Sequence, residues 1–580
     1  MKKTKIICTV GPSTDKPGVI ESLLMQGMDI ARFNFSHGSH IEHKKRIDML
    51  REAAAKTKKI VALLADTKGP EMRLGIFAKG KEILVEGKPF VLTTRDIQGT
   101  AEICSINYDG LPRLLKNGDV LLLSDGLLSL RVESVTATEI TTTILNGGEI
   151  SSRKRLAAPG VALDLPFLSE QDINDINFAA EQNMDFIAAS FVQRGADILS
   201  IRKVLEEGRH SLGIIAKIEN AEGVKNIEEI IKVSDGIMVA RGDLGVEIPA
   251  EQVPLVQKEI IKLCNENASP VITATQMLES MMNNPRPTRA EASDVANAIF
   301  DGSDAIMLSG ETASGNYPVE AVTMMATLAQ STETALRHDD ILVSKIAEPT
   351  ITDAIGHATV QVANELNLAA IIASSETGYT AKMIARYRPK ARVLAVTPHE
   401  RSARRMQLYW GVQPIVGNEV RTTDEMVKAA VECALLNGFV KTGDMVAITA
   451  GFPVGLTGST NLINVIIVGN VILRGVGIGK NVVKGKTCVI RELADLEKFQ
   501  EGDIIVVREI NAQISPYALK AAAIISEEGG LTSSSAILAV SCGIPAVVDV
   551  KDAVANLTDG MYVTIEVTRG MIYHESNLEN

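Results

Sequence analysis

Through the first half of the chain, short apolar runs alternate with polar residues and stretches of helical period. The runs are KIICTVG (from Lys5), MDIARFNFS (from Met28), IVALLADTKG (from Ile60), FIAASFV (from Phe186), GIIAKIEN (from Gly213), GIMVARGD (from Gly236), PVITATQM (from Pro270) and DAIMLSGET (from Asp304). Unbroken apolar runs of this length mark strands buried on both faces, as parallel strands are. Eight βα units in one chain predict an α/β fold, a closed (β/α)8 TIM barrel, whose functional groups sit at the C-terminal ends of the strands.

Between Asp66 and Phe186 this rhythm breaks. Segments such as DVLLLSDGLLSLRVESV and EITTTILNGG alternate apolar with polar positions, with turn signals at Asn117-Gly118-Asp119 and Gly147-Gly148. They predict a small antiparallel β domain inserted over the barrel mouth, where it can act as a lid. From about Glu348 onward, LAAIIASS, ARVLAVTP, VQPIVG, DMVAITAG and LINVIIVG alternate with helical stretches and predict a second, open α/β domain. The most apolar segment, LINVIIVGNVIL, is broken by Asn464, Gly469 and Asn470 and is too short to span a bilayer, and the N-terminus lacks a signal-peptide pattern. No membrane segment is expected.

The polar residues fall at the predicted strand ends: Arg32, Asn34 and Ser36; Asp66 and Thr67; Ser190; Lys217 and Glu219; Arg241 and Asp243; Thr275; Ser309 and Glu311. Residues two apart in a strand share a face, so Lys217 and Glu219 both project towards the mouth. Any one of these residues alone reads as a satisfied polar group at a strand end. Together they bring an ammonium and several carboxylates to one place, which costs desolvation unless a divalent metal and an anionic substrate use them. Glu219 and Asp243 are hard oxygen ligands suited to Mg²⁺ or Mn²⁺, and Lys217 and Arg32 would face a phosphate or an enolate. In the insertion, SSRKR (Ser151 to Arg155) could reach a nucleotide phosphate, although a charge run is more often a solvated loop. In the second half, SSETGYTAKMIARY puts hydroxyls and a glycine at a helix start, which suits a phosphate. A capped helix without ligand fits the same residues equally well.

Composition narrows the function classes. The 580 residues carry a net charge of -12, which disfavours general binding to nucleic acid or to an anionic membrane. The six cysteines are scattered, with no CxxC pair and no histidine at zinc spacing, as expected of reduced thiols in a cytoplasmic protein.

Four segments, ARFNFSHG (from Ala31), DTKGPEMR (from Asp66), IIAKIENAEG (from Ile214) and NPRPTRAEASDVANAIFDGSDAIMLSGETASGNYP (from Asn284), closely resemble the pyruvate kinase family. The resemblance runs to about residue 472. It implies transfer of the phosphoryl group of phosphoenolpyruvate to ADP, giving ATP and an enolate that becomes pyruvate. It assigns Lys217 to the phosphoryl group and the enolate oxygen, Arg32 to phosphate, Gly242, Asp243 and Thr275 to the substrate carboxylate, and Thr275 also to the protonation route. Glu219 and Asp243 correspond to the Mg²⁺ (or Mn²⁺) ligands. Asn34, Ser36, Asp66 and Thr67 correspond to a K⁺ site, and Glu71 resembles the K⁺-dependent type. Asn34, His37, Arg73 and Lys154 correspond to nucleotide contacts.

The loop of Ser374, Ser375, Thr377, Gly378 and Thr380 matches one that takes an allosteric sugar phosphate, with fructose 1,6-bisphosphate, ribose 5-phosphate or AMP as candidate effectors. A homotetramer is implied too. Beyond about Gly475, EEGGLTSSSAILAVSCGIPAVV (from Glu527) resembles the mobile phosphohistidine domain of phosphoenolpyruvate-utilising enzymes, with Ser534 where the histidine would stand. That departure favours a structural or regulatory appendix. The expected division is 1–69 with 168–345 for the barrel, 70–167 for the insertion, 346–472 for the α/β domain and 473–580 for the extra domain. An aldolase or lyase on a similar barrel, and a non-catalytic metabolite sensor, are the alternative readings, which dependence on ADP would separate from the first.

Overall fold

The computed structural model of the chain describes residues 2–161, 166–338, 350–420, 422–451, 460–469 and 471–574. All eight predicted barrel strands form: β1 (Lys5–Thr9), β2 (Ile30–Asn34), β3 (Ala62–Asp66), β4 (Phe186–Ala189), β5 (Gly213–Ile218), β6 (Gly236–Ala240), β7 (Val271–Ala274) and β8 (Ala305–Leu308). They close into a parallel barrel in the order β1-β8-β7-β6-β5-β4-β3-β2. Strand parity sorts the side chains. Ile7, Ile30, Leu64, Ala188 and Ile215 fill the barrel interior, while Ile6, Cys8, Ala31 and Ile214 join the outer core. Two residues beyond that inner layer stand Thr9, Arg32, Asp66, Ser190 and Lys217, which places them on the inner face at the C-terminal mouth.

The opposite end of the barrel is plugged by residues from far along the chain. Leu408 joins the interior cluster. Gln407 donates to the Ile60 carbonyl (2.6 Å) and accepts from the Lys5 ammonium (3.2 Å), which also donates to the Val412 carbonyl (2.6 Å). Burial pulls the pKa of Lys5 down to about 8. Arg388 pairs with Asp304 (2.7 Å), and Arg404 donates to both oxygens of the fully buried Asp185 (3.0 and 3.1 Å). Residues 375–389 and 397–416 therefore form one compact body with the described residues of 1–357.

The insertion is the predicted small β domain. Its seven-stranded sheet runs Met72–Arg73, Arg155–Ala157, Val120–Leu123, Leu128–Val135, Glu139–Asn146, Pro89–Thr93, Ile103–Ser105. Every pairing is antiparallel except the last. Phe77, Phe90, Leu121, Leu130 and Val132 form its core.

The second body comprises the described residues of 358–374, 390–396 and 417–580. In its α/β part, Ala370–Ser374 pairs in parallel with Arg392–Thr397 and with Met445–Gly451, and Thr460–Ile467 adds an antiparallel edge. The run VQPIVG gives the strand Val412–Val416, which falls within the first body. The tail forms an eight-stranded sheet whose centre, Val482–Ile490, Ile504–Val507, Ala523–Ser526 and Ala546–Val548, is parallel. The fold is thus a TIM barrel with an inserted β domain, an open α/β domain and an extra C-terminal domain. The expected boundary at 345/346 lies outside the described residues. Among the described residues, no helix is long and apolar enough to cross a membrane.

Candidate active site

The barrel register delivers a cation to the centre of the mouth. The Lys217 ammonium, on β5, spends its three donors on Asp66 Oδ1 (3.0 Å), Ser190 Oγ (2.7 Å) and Glu219 Oε1 (2.9 Å). The Ser190 hydroxyl in turn donates to the Thr67 carbonyl (2.7 Å). Asp66 accepts on its other oxygen from Arg32 Nε (2.6 Å), and Arg32 also donates to Thr9 Oγ1 (3.0 Å). Burial opposes the charge of Lys217, but Asp66 and Glu219 outweigh it and hold its pKa above the ordinary lysine value. Burial likewise opposes the Asp66 carboxylate, and Arg32 and Lys217 win, so its pKa is lowered. Such a network is tolerable in a buried position only because nearly every charge has a partner.

Glu219 carries the residual imbalance. It is buried and accepts from the Phe191 N-H (2.6 Å) as well as from Lys217. Burial pushes its pKa up to about 7 against the pull of Lys217, and the carboxylates of Asp243 and Asp66 add to the rise. Asp243 lies in the short helix Arg241–Glu247, with its side chain 34% exposed. Its Oδ1 is in contact with Arg155 of the insertion. The donor set therefore fits a divalent cation in chemistry: two hard carboxylates, one of them short of positive charge. No cluster of three or more His, Cys, Asp or Glu side chains stands ready for a metal among the described residues, so water and substrate oxygens would complete the shell.

A second arrangement fixes the ends of β6 and β7. Thr275 has φ +66°, a costly conformation for a β-branched residue. Two contacts hold it there. The Gly242 N-H donates to Thr275 Oγ1 (2.7 Å). Arg241, paired with Asp294 (2.7 Å), donates from Nη2 to the Thr275 carbonyl (2.7 Å).

Several sequence-predicted residues thus meet: Arg32, Asp66, Lys217 and Glu219 in one network, and Gly242 with Thr275. Asn34 and Asp66 are register partners on β2 and β3, and Asn34 Oδ1 accepts from the Ser36 N-H (3.1 Å). Thr67 joins through Ser190. Arg73 is turned onto Glu71 (3.0 and 2.5 Å). His37 and Lys154 have exposed side chains. In the second-half loop, Ser374 ends a strand, and Gly378, at φ +86°, donates its N-H to Ser375 Oγ (3.0 Å) before the seven-residue helix Tyr379–Ala385, which holds a buried Thr380. Thr377 is exposed. In the tail, Glu528 accepts from the N-H groups of Ser534 (3.2 Å) and Ser535 (3.4 Å) at the start of the helix Ser534–Cys542.

Sequence reasoning passed over two residues of the mouth. Ser190 was visible as a polar strand end but not as a partner of Lys217. Arg155 lay within the SSRKR run, where Lys154 had the family correspondence, and the pairing of Arg155 with Arg73 in the lid sheet is what carries the arginine to the barrel.

Three family models match in chain order: the barrel domain of pyruvate kinase over residues 1–322, its alpha/beta domain over 353–466, and the mobile domain of PEP-utilising enzymes over 499–570. Curated relatives agree along the whole length. The chain is 50% identical to a pyruvate kinase of Geobacillus stearothermophilus over 579 residues, covering 99% of this chain and 98% of the relative. It is 48% identical to one of Sporosarcina psychrophila over 580 residues, and 47% identical to one of Staphylococcus aureus over 578, with 99% of each chain covered in both cases. With barrel, insertion, α/β domain and tail all matched at this level, the chain belongs to the pyruvate kinase family of phosphotransferases.

Proposed function

We propose that the chain transfers the phosphoryl group of phosphoenolpyruvate to ADP, giving ATP and pyruvate. The observation that carries this reading is the Lys217 ammonium, buried inside the mouth and fixed by Asp66, Ser190 and Glu219. Phosphoryl transfer leaves a protein little covalent work, so a rigid cation aimed at developing negative charge is the part that matters most. Lys217 holds the transferring phosphoryl group and then the enolate oxygen. Arg32 grips the phosphate from the neighbouring strand. Gly242, Asp243 and Thr275 receive the substrate carboxylate, and Thr275 stands in the route by which the enolate gains its proton.

Glu219 and Asp243 would hold Mg²⁺ or Mn²⁺, which would supply positive charge to offset that of the substrate phosphate and the developing enolate. Asn34, Ser36, Asp66 and Thr67 hold K⁺, and Asn34, His37, Arg73 and Lys154 reach the nucleotide. The domain division 1–69 with 168–345, 70–167, 346–472 and 473–580 belongs to the same reading. So do a cytoplasmic homotetramer and activation by a sugar phosphate or AMP at Ser374, Ser375, Thr377, Gly378 and Thr380.

The test is pyruvate formation from phosphoenolpyruvate, ADP and Mg²⁺, with and without K⁺, in the wild-type chain and Lys217→Ala. K⁺-stimulated turnover that falls by orders of magnitude in the variant is the expected result. A wild-type chain that forms no pyruvate with any of the three effectors sinks the reading.

A further inference from the structure

Arg155 belongs to the inserted domain, yet its charge is spent on the barrel. Its strand pairs antiparallel with Met72–Arg73, an ordinary position in the lid sheet. The side chain, however, is only 10% exposed, touches Asp243 Oδ1, and lies over the Phe191 ring at 4.8 Å. Glu219, Glu71 and Glu247 also direct negative charge at it. A planar guanidinium is well matched to a carboxylate and to an aromatic face, so this is a built contact. It engages one of the two carboxylates read above as the divalent-metal pair.

We propose that Arg155 is the protein's own counter-cation for that pair. It latches the inserted domain to the barrel mouth through Asp243 while no divalent ion is bound, and a divalent ion enters by displacing it. The inference rests on the reading of Glu219 and Asp243 as metal ligands. Its logic is electrostatic exclusion: a guanidinium in contact with Asp243 Oδ1 and a divalent ion on the same oxygen occupy the same space and satisfy the same charge. The displaced guanidinium has somewhere to go. A cleft of about 250 Å³ opens beside it, lined by Glu71, Phe191, Glu222 and Glu247 among others. The lid is then freed from Asp243 at the moment the metal arrives, so metal occupancy and lid position are coupled by differential affinity for the two arrangements.

The test is Mn²⁺ binding to the full chain without substrate, followed through the paramagnetic resonance of free Mn²⁺. Wild type is compared with Arg155→Ala and Arg155→Gln, each also in an Asp243→Asn background; the glutamine variant fills the site should the alanine variant fold poorly. Both Arg155 variants are expected to bind Mn²⁺ tighter by about tenfold or more, the lower end of the coupling seen for close charge pairs. That gain should vanish in the Asp243→Asn background. Affinity equal to or weaker than wild type overturns the latch and leaves the metal pair standing. No Mn²⁺ binding by any of these proteins overturns the metal reading and the latch with it. A gain that survives Asp243→Asn overturns the assignment to Asp243.

Discussion

Ser190→Ala isolates what it costs to let the central ammonium loosen. Ser190 Oγ is one of three acceptors on Lys217, at 2.7 Å, and its hydroxyl is tied in turn to the Thr67 carbonyl. The site is 2% exposed, so no bulk water replaces the lost oxygen without disturbing its surroundings. A hydrogen bond to a charged group contributes about 1.5–3 kcal/mol, and a buried donor left unmet costs a similar amount. If Ser190 holds Lys217 in its working position, that energy is lost where Lys217 acts, on the developing charge of the transition state. Turnover should then fall by about 10- to 150-fold. Steady-state kinetics with phosphoenolpyruvate, ADP, Mg²⁺ and K⁺ at saturation give kcat directly, and the KM for ADP should hardly move. Turnover within threefold of wild type, or a loss confined to the KM for ADP, would refute the positioning argument.

Three other outcomes follow from the geometry. Arg404→Ala strands the buried Asp185 and should destabilise the first body by about 3–5 kcal/mol, with part recovered on adding Asp185→Asn; denaturant titration of the pair of variants checks it. Lys5 has a folded pKa lowered by burial from 10.5 to about 8, so between those values the unfolded chain binds more protons and stability rises with pH, by about 3 kcal/mol in all. Unfolding midpoints followed across that range should climb in wild type and lose this climb in Lys5→Met. Incubation with phosphoenolpyruvate should leave the tail unphosphorylated, because Ser534 offers no imidazole and Glu528 already occupies the helix N-H groups; a phosphorylated fragment of residues 473–580 in mass spectrometry would contradict this.

The barrel was legible because its strands are buried on both faces and so read as unbroken apolar runs. Its chemistry was legible because parity carries a residue such as Lys217 from Ile215 inward to the mouth. What stayed hidden depends on separation in sequence. Nothing local to Lys5 points to Gln407 and Val412, and nothing around Asp185 points to Arg404. The tie between Ser190 and Lys217 comes from the lateral register of β4 and β5, which an isolated run does not reveal. Arg155 was hidden for another reason: in a run of three basic residues, only the lid's strand pairing decides which of them turns towards the barrel and which, like Lys154, turns to solvent.

The plug of the barrel also sets a timetable. All eight strands have been synthesised once Leu308 is made, yet Leu408, Gln407 and the guanidiniums of Arg388 and Arg404 come later. At usual rates of synthesis, the stretch from Leu308 to Val416 takes about 5–20 s. For that interval the nascent barrel has an open floor, with Asp185 and Asp304 lacking their arginines and the apolar interior exposed at one end. The growing chain is then a natural client for chaperones, and a ribosome stalled in this window would release a barrel that is complete in strands and unfinished in structure.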